Sequence, residues 1–170
     1  MADITFKGKP IHTVGNLPSI GSKAPSFTLV RKDLSEATLD NYKGKKILLN
    51  LFPSLDTGVC AQSVRRFNAL LAEHPEIAVL HISKDLPFAM NRFCSSESLP
   101  GAETLSAFNS NLGQDYGIQI KDGPLKGLLS RAAILLDEQG KIIYTEQVPE
   151  IAQEPNYGKI LSQLGINEQL

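Results

Sequence analysis

The stretch KILLNLFPSLDTGVC, residues 46–60, sets the pattern for the whole chain. Its first seven residues form a near-continuous apolar run, which is typical of a strand covered on both faces and predicts a central strand. A polar loop containing Pro53 and Gly58 follows. Beyond Cys60, apolar side chains recur at helical spacing, at Val64, Phe67 and Leu71. The stretch therefore predicts a strand that passes through a short loop into a helix opened by Cys60.

A second apolar run completes a strand-helix-strand unit. The run IAVLHIS, residues 77–83, resembles residues 46–52 in its apolar character. Strands joined by a helix in this way favour parallel pairing with a right-handed crossover. After this strand, Asp85 is placed to cap a short helix over residues 86–93. Cys94 is then expected at the end of that helix.

The remaining segments surround this unit. Further strands are expected at residues 27–30, 132–136 and 142–148, the last two as an antiparallel hairpin around the turn 137–140. A final amphipathic helix is expected over about residues 155–164. Two short alternating stretches predict a hairpin extension within residues 1–16. Together these elements predict an α/β fold with a mixed central sheet flanked by helices.

Length and charge limit the classes of function. The 170 residues fit one domain, residues 1–170, and leave little room for a second. The 17 basic residues nearly balance the 18 acidic ones, so no electrostatic footprint for nucleic acid or an anionic membrane is present. No apolar run reaches about 18 residues, and no basic leader precedes an apolar segment. A cytoplasmic protein is expected, with neither nucleic acid nor membrane as a partner.

Cys60 has the setting of a reactive cysteine. Ligands of open α/β sheets gather beyond the carboxyl ends of strands, where a helix N-terminus adds unpaired N–H groups and a positive dipole end. Both favour the nucleophilic thiolate, so a depressed pKa is expected for Cys60. Thr57 can turn its hydroxyl towards the sulfur. The alternative is a small packed hydrophobe in line with Val64 and Phe67, as most free cysteines are, but the strand-end position favours reactivity.

The spacing of Pro53, Thr57 and Cys60 resembles the P-x-x-x-T-x-x-C signature of the peroxiredoxins. Further segments are similar to the thiol peroxidase branch of that family, at residues 21–25, 83–89, 92–94 and 122–128. The similarity therefore spans nearly the whole chain. It implies a thioredoxin-like fold with an N-terminal hairpin, no bound cofactor, and reduction of a hydroperoxide substrate through cysteine.

The resemblance assigns four residues to the attacking site. Cys60 matches the peroxidatic cysteine, Pro53 the residue that shields it, and Thr57 its hydroxyl partner. Arg131 matches an arginine supplied by a later strand, although without the resemblance a solvated loop arginine is an equal interpretation. Attack on a peroxide moves charge from sulfur onto two oxygens as the O–O bond stretches. Preorganised donors at these positions would stabilise that transition state.

Cys94 is implied to resolve the sulfenic acid that the attack leaves on Cys60. In the related branch the resolving cysteine lies in the same chain at the Arg-Phe-Cys position, here residues 92–94, and forms an intramolecular disulfide. A packed, inert thiol is the alternative. Residues 95–101 are polar and loop-like, so local unfolding there is expected to be cheap. A thioredoxin-type reductant and a homodimer are further expectations from the resemblance.

Three leucines are expected to form an apolar wall for the substrate. Leu55 lies between Pro53 and Cys60, whereas Leu125 and Leu128 belong to a Gly- and Pro-rich loop that can close over the same strand ends. Because the related branch favours alkyl hydroperoxides, organic hydroperoxides are expected to be better substrates than hydrogen peroxide. Internal packing or a subunit interface is the alternative for all three leucines.

The histidines do not indicate a metal site. His12, His74 and His81 have no metal-ligand spacing and are interpreted as structural, so no metal is expected. Two other functions remain as alternatives. One is a peroxide sensor that acts through partner binding. The other is a general disulfide oxidoreductase, but such proteins normally carry C-x-x-C, and Thr57 stands where that motif needs its first cysteine.

Overall fold

The computed structural model describes residues 1–99 and 101–166, which form a central sheet, a separate hairpin and surrounding helices. The strands of the central sheet are β3 Thr28–Arg31, β4 Glu36–Thr38, β5 Lys46–Leu51, β6 Ile77–Ser83, β7 Glu103–Ser106, β8 Ala132–Leu136 and β9 Ile142–Gln147. The helices are α1 Gly58–Leu71, α2 Pro87–Ser96, α3 Leu112–Asp115 and α4 Tyr157–Gln163, with a 3-10 turn at Leu39–Tyr42. In the part of the chain that the structure describes, no helix has both the length and the apolar character needed to span a bilayer.

Strand β5 lies at the centre of the sheet, whose order is β4-β3-β7-β6-β5-β8-β9. It pairs in parallel with β6 and antiparallel with β8, so the sheet is mixed. On one face Leu48 packs in a cluster with Phe67 of α1 and Ile160 of α4. On the other face Leu49 packs in a cluster with Tyr116, just after α3. The α/β fold with a mixed sheet flanked by helices is therefore confirmed, and covering both faces of β5 explains its uninterrupted apolar run.

The N-terminal hairpin is also confirmed. It consists of β1 Asp3–Phe6 and β2 Lys9–His12. The turn requires positive φ at both of its residues, 53° at Lys7 and 78° at Gly8, and glycine adopts this conformation without steric cost. The hairpin lies outside the central sheet but contacts the segment that follows β9, which brings it towards the carboxyl end of β5.

The expected cap of α2 is wrong. The N-cap is Leu86, whose apolar side chain cannot accept a hydrogen bond, and the carboxylate of Asp85 is engaged elsewhere. It accepts hydrogen bonds from Ser54 Oγ at 2.7 Å, Leu55 N at 2.8 Å and Ser83 Oγ at 2.6 Å. Asp85 therefore ties the loop before α1 to the end of β6.

The helix α2 is also longer than expected. It continues to Ser96, so Cys94 lies in its last turn rather than at its end, and two residues of the expected loop 95–101 are helical. Residue 100 lies outside the described residues. The helical turn at Cys94 continues into a backbone hydrogen bond from Leu99 N to the Cys94 carbonyl, at 2.9 Å. This end of α2 is thus more ordered than the polar sequence indicated.

Candidate active site

Cys60 and Arg131 contact each other at the carboxyl end of β5. Because β8 runs antiparallel to β5 and Ala132 pairs with Leu51, Arg131 enters the sheet beside the loop that leads into α1. Its Nη2 donates a hydrogen bond to Cys60 Sγ at 3.2 Å. Cys60 is fully buried and Arg131 is only 2% exposed. A cation therefore lies against the sulfur in a site with little water to screen it.

The other guanidinium nitrogens show how Arg131 is held. Its Nε donates to the carbonyl oxygen of Ile151 at 2.7 Å, which fixes the plane of the side chain. Its Nη1 is buried and has no hydrogen-bond partner within residues 1–99 and 101–166. Leaving a buried donor unsatisfied is costly, so this nitrogen is available to an oxygen that enters the site.

Thr57 orders the loop rather than contacting the sulfur. It is the N-cap of α1, and its Oγ1 accepts a hydrogen bond from Cys60 N at 3.4 Å. The same hydroxyl donates to the Ser54 carbonyl at 3.1 Å. Its single hydrogen is thus directed to Ser54, not to the thiol. The N–H groups of Gly58 and Val59, in the first turn of α1, are the other donors at this end of the helix.

A small apolar cavity of about 160 Å³ adjoins this contact. Leu125 and Leu128 line it, as do Pro53, Thr57 and Arg131. The lining also includes Ser54, Gly58 and Val59, together with three residues that sequence reasoning missed, Phe6, Ile151 and Ala152. The side chains that surround the Arg131 guanidinium group in this cavity are therefore mainly apolar.

Leu55 is not brought to this cavity. It is 4% exposed and packs inward, in a cluster with Phe52, Cys60, Val64 and Met90. The hydrogen bond from Leu55 N to Asp85 fixes the backbone so that the side chain enters the core between α1 and α2. For this leucine the structure matches the alternative interpretation of internal packing.

A buried network of polar side chains from β5, α1 and β6 contacts the backbone of the first turn of α1. Ser63 Oγ donates to the Cys60 carbonyl at 2.8 Å and accepts from Asn50 Nδ2 at 3.2 Å. His81 contacts Asn50 Nδ2 through Nδ1 at 3.0 Å and Asn68 Oδ1 through Nε2 at 3.1 Å. These partners assign the hydrogen to Nε2 of a neutral imidazole. Burial lowers the pKa of His81 to about 3.

The other two histidines contact carboxylates. His12 Nδ1 lies 2.6 Å from Asp122 Oδ2, and His74 Nδ1 lies 3.1 Å from Glu76 Oε1. The hydrogen bonds from His12 lower the pKa of Asp122. Across the described ranges, no three His, Cys, Asp or Glu side chains come together in a group suited to a metal ion.

Cys94 is a second buried free thiol in a different environment. Its Sγ lies 3.9 Å from Thr104 Oγ1 of β7. The end of α2 is joined to α1 by a forked ion pair, in which Arg65 Nε and Nη2 each donate to the Glu97 carboxylate at 2.7 Å. The pair links the helix that carries Cys60 to the end of the helix that carries Cys94.

Sequence reasoning missed the contributions of Ile151 and Phe6 to this site and assigned Asp85 a different role, each for its own reason. Ile151 acts through its backbone carbonyl, which carries no side-chain signature. Phe6 reaches the cavity only because the hairpin packs against the segment that follows β9. For Asp85, the helix that follows it in sequence favours the interpretation of a helix cap over that of a tie to the loop before α1. The S-x-D spacing of Ser83 and Asp85 is the one local signal of its actual contacts, since their side chains hydrogen-bond to each other.

Comparisons with known proteins agree with this geometry. The Redoxin family model matches residues 19–161. The chain is 52% identical over 165 residues to the thiol peroxidase of Mycobacterium tuberculosis, covering 97% of this chain and 99% of the relative. It is 48% identical over 164 residues to the thiol peroxidase of Corynebacterium glutamicum, with 96% and 99% covered. Among solved structures, it is similar to a peroxiredoxin-like protein from Aquifex aeolicus, with a TM-score of 0.90, 36% identity, and 97% and 96% covered.

Proposed function

The chain belongs to the redoxin family, and from this premise we propose that Cys60 is the nucleophile with which it reduces hydroperoxides. Thiol-dependent peroxide reduction is the activity of this protein, which is about half identical, over nearly its full length, to two thiol peroxidases. The alternative of a sensor acting only through partner binding is not favoured by these relatives. The site geometry supports a role for particular residues in each step.

In the first step the Cys60 thiolate attacks one peroxide oxygen. An S–O bond forms as the O–O bond breaks, the sulfur is oxidised by two electrons to a sulfenic acid, and the leaving alkoxide or hydroxide takes up a proton. The Arg131 guanidinium stabilises the thiolate through Nη2 and offers Nη1 to the oxygens on which charge develops. Pro53 lines the approach to the site.

The observation that carries this proposal is the buried contact of 3.2 Å between Arg131 Nη2 and Cys60 Sγ. The test is stopped-flow measurement of peroxide consumption. Cys60→Ser is expected to abolish the reaction. Arg131→Ala is expected to slow it by roughly 10²-fold or more, the cost of losing a transition-state donor. Most of the turnover surviving in Cys60→Ser would overturn the assignment.

In the second step Cys94 attacks the sulfenic acid, releasing water and forming an intramolecular disulfide. A disulfide holds its sulfurs about 2.05 Å apart, whereas Cys94 now lies beside Thr104 of β7. We therefore infer that the last turn of α2 opens before the bond forms. A thioredoxin-type dithiol fits the family as the reductant that restores both thiols. A cytoplasmic setting accords with such a cycle, because that compartment keeps dithiol donors reduced.

The cavity supports a preference for organic hydroperoxides. Leu125 and Leu128 line it together with Phe6 and Ile151, so an alkyl group beside the peroxide would be buried among apolar side chains. Each buried methylene contributes about 0.8 kcal/mol, so three or four give a selectivity of roughly two orders of magnitude. This holds if the contacts persist in the transition state.

The preference is tested by kcat/KM for hydrogen peroxide and for tert-butyl, cumene and long-chain hydroperoxides. Leu125→Ala and Leu128→Ala are expected to lower the ratio of organic to hydrogen peroxide activity. Leu34→Ala is the control, because that leucine is exposed at the turn between β3 and β4 and does not line the cavity. Hydrogen peroxide as the best substrate would refute the preference, as would ratios unchanged in both cavity variants.

We propose that residues 1–170 form one peroxidase domain that functions as a homodimer. Three large apolar side chains near the start of α2 are exposed, at Leu86, Phe88 and Phe108, and Phe88 is 66% exposed. Large apolar side chains that are exposed close to one another are typical of a protein contact. Sedimentation at several concentrations tests the assembly. Phe88→Asp is expected to shift it to monomer, and a wild-type protein that sediments as a monomer throughout would exclude the dimer.

A further inference from the structure

The carboxylate of Glu150 joins the N-terminal hairpin to the segment after β9. Its Oε1 accepts hydrogen bonds from Gly8 N at 2.8 Å and Thr5 Oγ1 at 3.2 Å. Its Oε2 accepts from Ala152 N at 2.8 Å, within its own segment. The backbone donors of Ala152 and Gly8 lower the pKa of Glu150, so the carboxylate is ionised near neutral pH. One side chain thus ties together two stretches that are distant in sequence.

The same segment holds Arg131. On either side of Glu150, backbone bonds pair the segment with the hairpin, from Thr5 N to the Pro149 carbonyl at 2.8 Å and from Ile151 N to the Thr5 carbonyl at 2.9 Å. The Ile151 carbonyl then accepts from Arg131 Nε at 2.7 Å. Arg131 in turn contacts the Cys60 sulfur. An unbroken series of hydrogen bonds therefore runs from the hairpin to the reactive thiol.

We propose that Glu150 is a positioning residue for the peroxidase reaction, which fixes the Ile151 carbonyl and through it the Arg131 guanidinium beside Cys60. This inference rests on the proposed role of Arg131 in peroxide attack. It makes the N-terminal hairpin a part of the active-site support, because the hairpin supplies two of the donors that hold the carboxylate. Small displacements of a transition-state donor have large effects on rate, so a residue outside the cavity can control the reaction.

Positioning and charge have opposite effects on the thiol. Removing a negative charge from the neighbourhood of Cys60 would, through charge alone, favour the thiolate and lower its pKa. Loss of the support for Arg131 would instead weaken the cation contact, raise the Cys60 pKa and slow attack. The direction of the change in the Cys60 pKa therefore identifies how Glu150 acts.

The test compares Glu150→Ala, Glu150→Gln and the control Glu138→Gln, which removes an exposed carboxylate at the turn before β9. Glu150→Ala is expected to lower the second-order rate constant of Cys60 oxidation by about tenfold. This loss is smaller than the roughly 10²-fold expected for Arg131→Ala, because the donor is displaced and not removed. Glu150→Gln keeps one acceptor oxygen and is expected to recover part of that rate. The pH profile of Cys60 alkylation, measured in the Cys94→Ser background, is expected to shift upwards in Glu150→Ala and to stay fixed in Glu138→Gln.

A double-mutant cycle completes the test. With Arg131→Ala already present, Glu150→Ala is expected to cause no further slowing, since the group it positions is gone. If the two substitutions slowed the reaction independently, so that their fold-changes multiplied in the double mutant, the inference would be overturned. A lowered Cys60 pKa or an unchanged rate in Glu150→Ala would also overturn it. Those outcomes differ from failure of the proposed role of Arg131, which would appear as an unchanged rate in Arg131→Ala itself. They also differ from failure of the proposed function, which would appear as turnover surviving in Cys60→Ser.

Discussion

Acidification is expected to destabilise this protein through His81. The imidazole is buried, accepts from Asn50 at Nδ1 and donates to Asn68 from Nε2. Protonation would place a charge in the core and direct a new N–H at the amide of Asn50, which is already a donor. The network continues through Ser63 to the carbonyl of Cys60, so its disruption reaches the first turn of α1.

The magnitude follows from the shifted pKa. The ordinary value is 6.5, and burial lowers the pKa of His81 to about 3 in the folded protein. Between these values the unfolded chain binds a proton that the folded chain does not. The contribution of His81 to the free energy of unfolding is therefore present at pH values above 6.5 and is lost as the pH falls from 6.5 towards 3. The slope approaches about 1.4 kcal/mol per pH unit. From pH 7.5 to pH 4.5, this group alone is expected to cost roughly 3 kcal/mol.

Urea unfolding at a series of pH values measures this loss. Because carboxylates also titrate in this range, the informative quantity is the difference between wild type and His81→Gln, in which their contributions cancel. His81→Gln is expected to be less stable at neutral pH but to lack this part of the slope, while His74→Gln, outside the network, keeps it. Equal slopes in wild type and His81→Gln would refute the reasoning. So would an imidazole resonance of His81 that titrates near its ordinary pKa in the folded protein.

Other variants test individual steps of the cycle. Cys94→Ser is expected to consume about one peroxide per chain and then stop with thioredoxin, because only Cys60 is needed for the first step; sustained turnover would remove Cys94 from the cycle. Glu97→Gln breaks the fork with Arg65 and is expected to speed disulfide formation about two- to fivefold, seen as less overoxidation at high peroxide; slower resolution would contradict this. Asp85→Ala is expected to slow peroxide attack about tenfold by freeing the loop before α1; an unchanged stopped-flow rate would show that the loop holds without it.

The predictability of the strands follows from how they are buried. β5 is covered on both faces, and β6 is also largely buried, so both appear as long apolar runs in the sequence. β7 was missed because its buried positions include Thr104 and Ser106, polar residues that are satisfied inside the fold and leave no apolar signal. β4 was missed because it spans only three residues, too few to establish an alternation.

The same distinction applies within the site. The placement of Cys60 and Thr57 at the start of a helix follows from residues that are neighbours in sequence, so local rules sufficed. Asp85 had an equally good local interpretation as a cap, yet its carboxylate is held by three donors, two of which come from the loop before α1. Three hydrogen bonds outweigh the one that a cap provides, and two of these three exist only once β5 and β6 are paired. A local rule therefore fails here because the folded sheet offers the same side chain better partners.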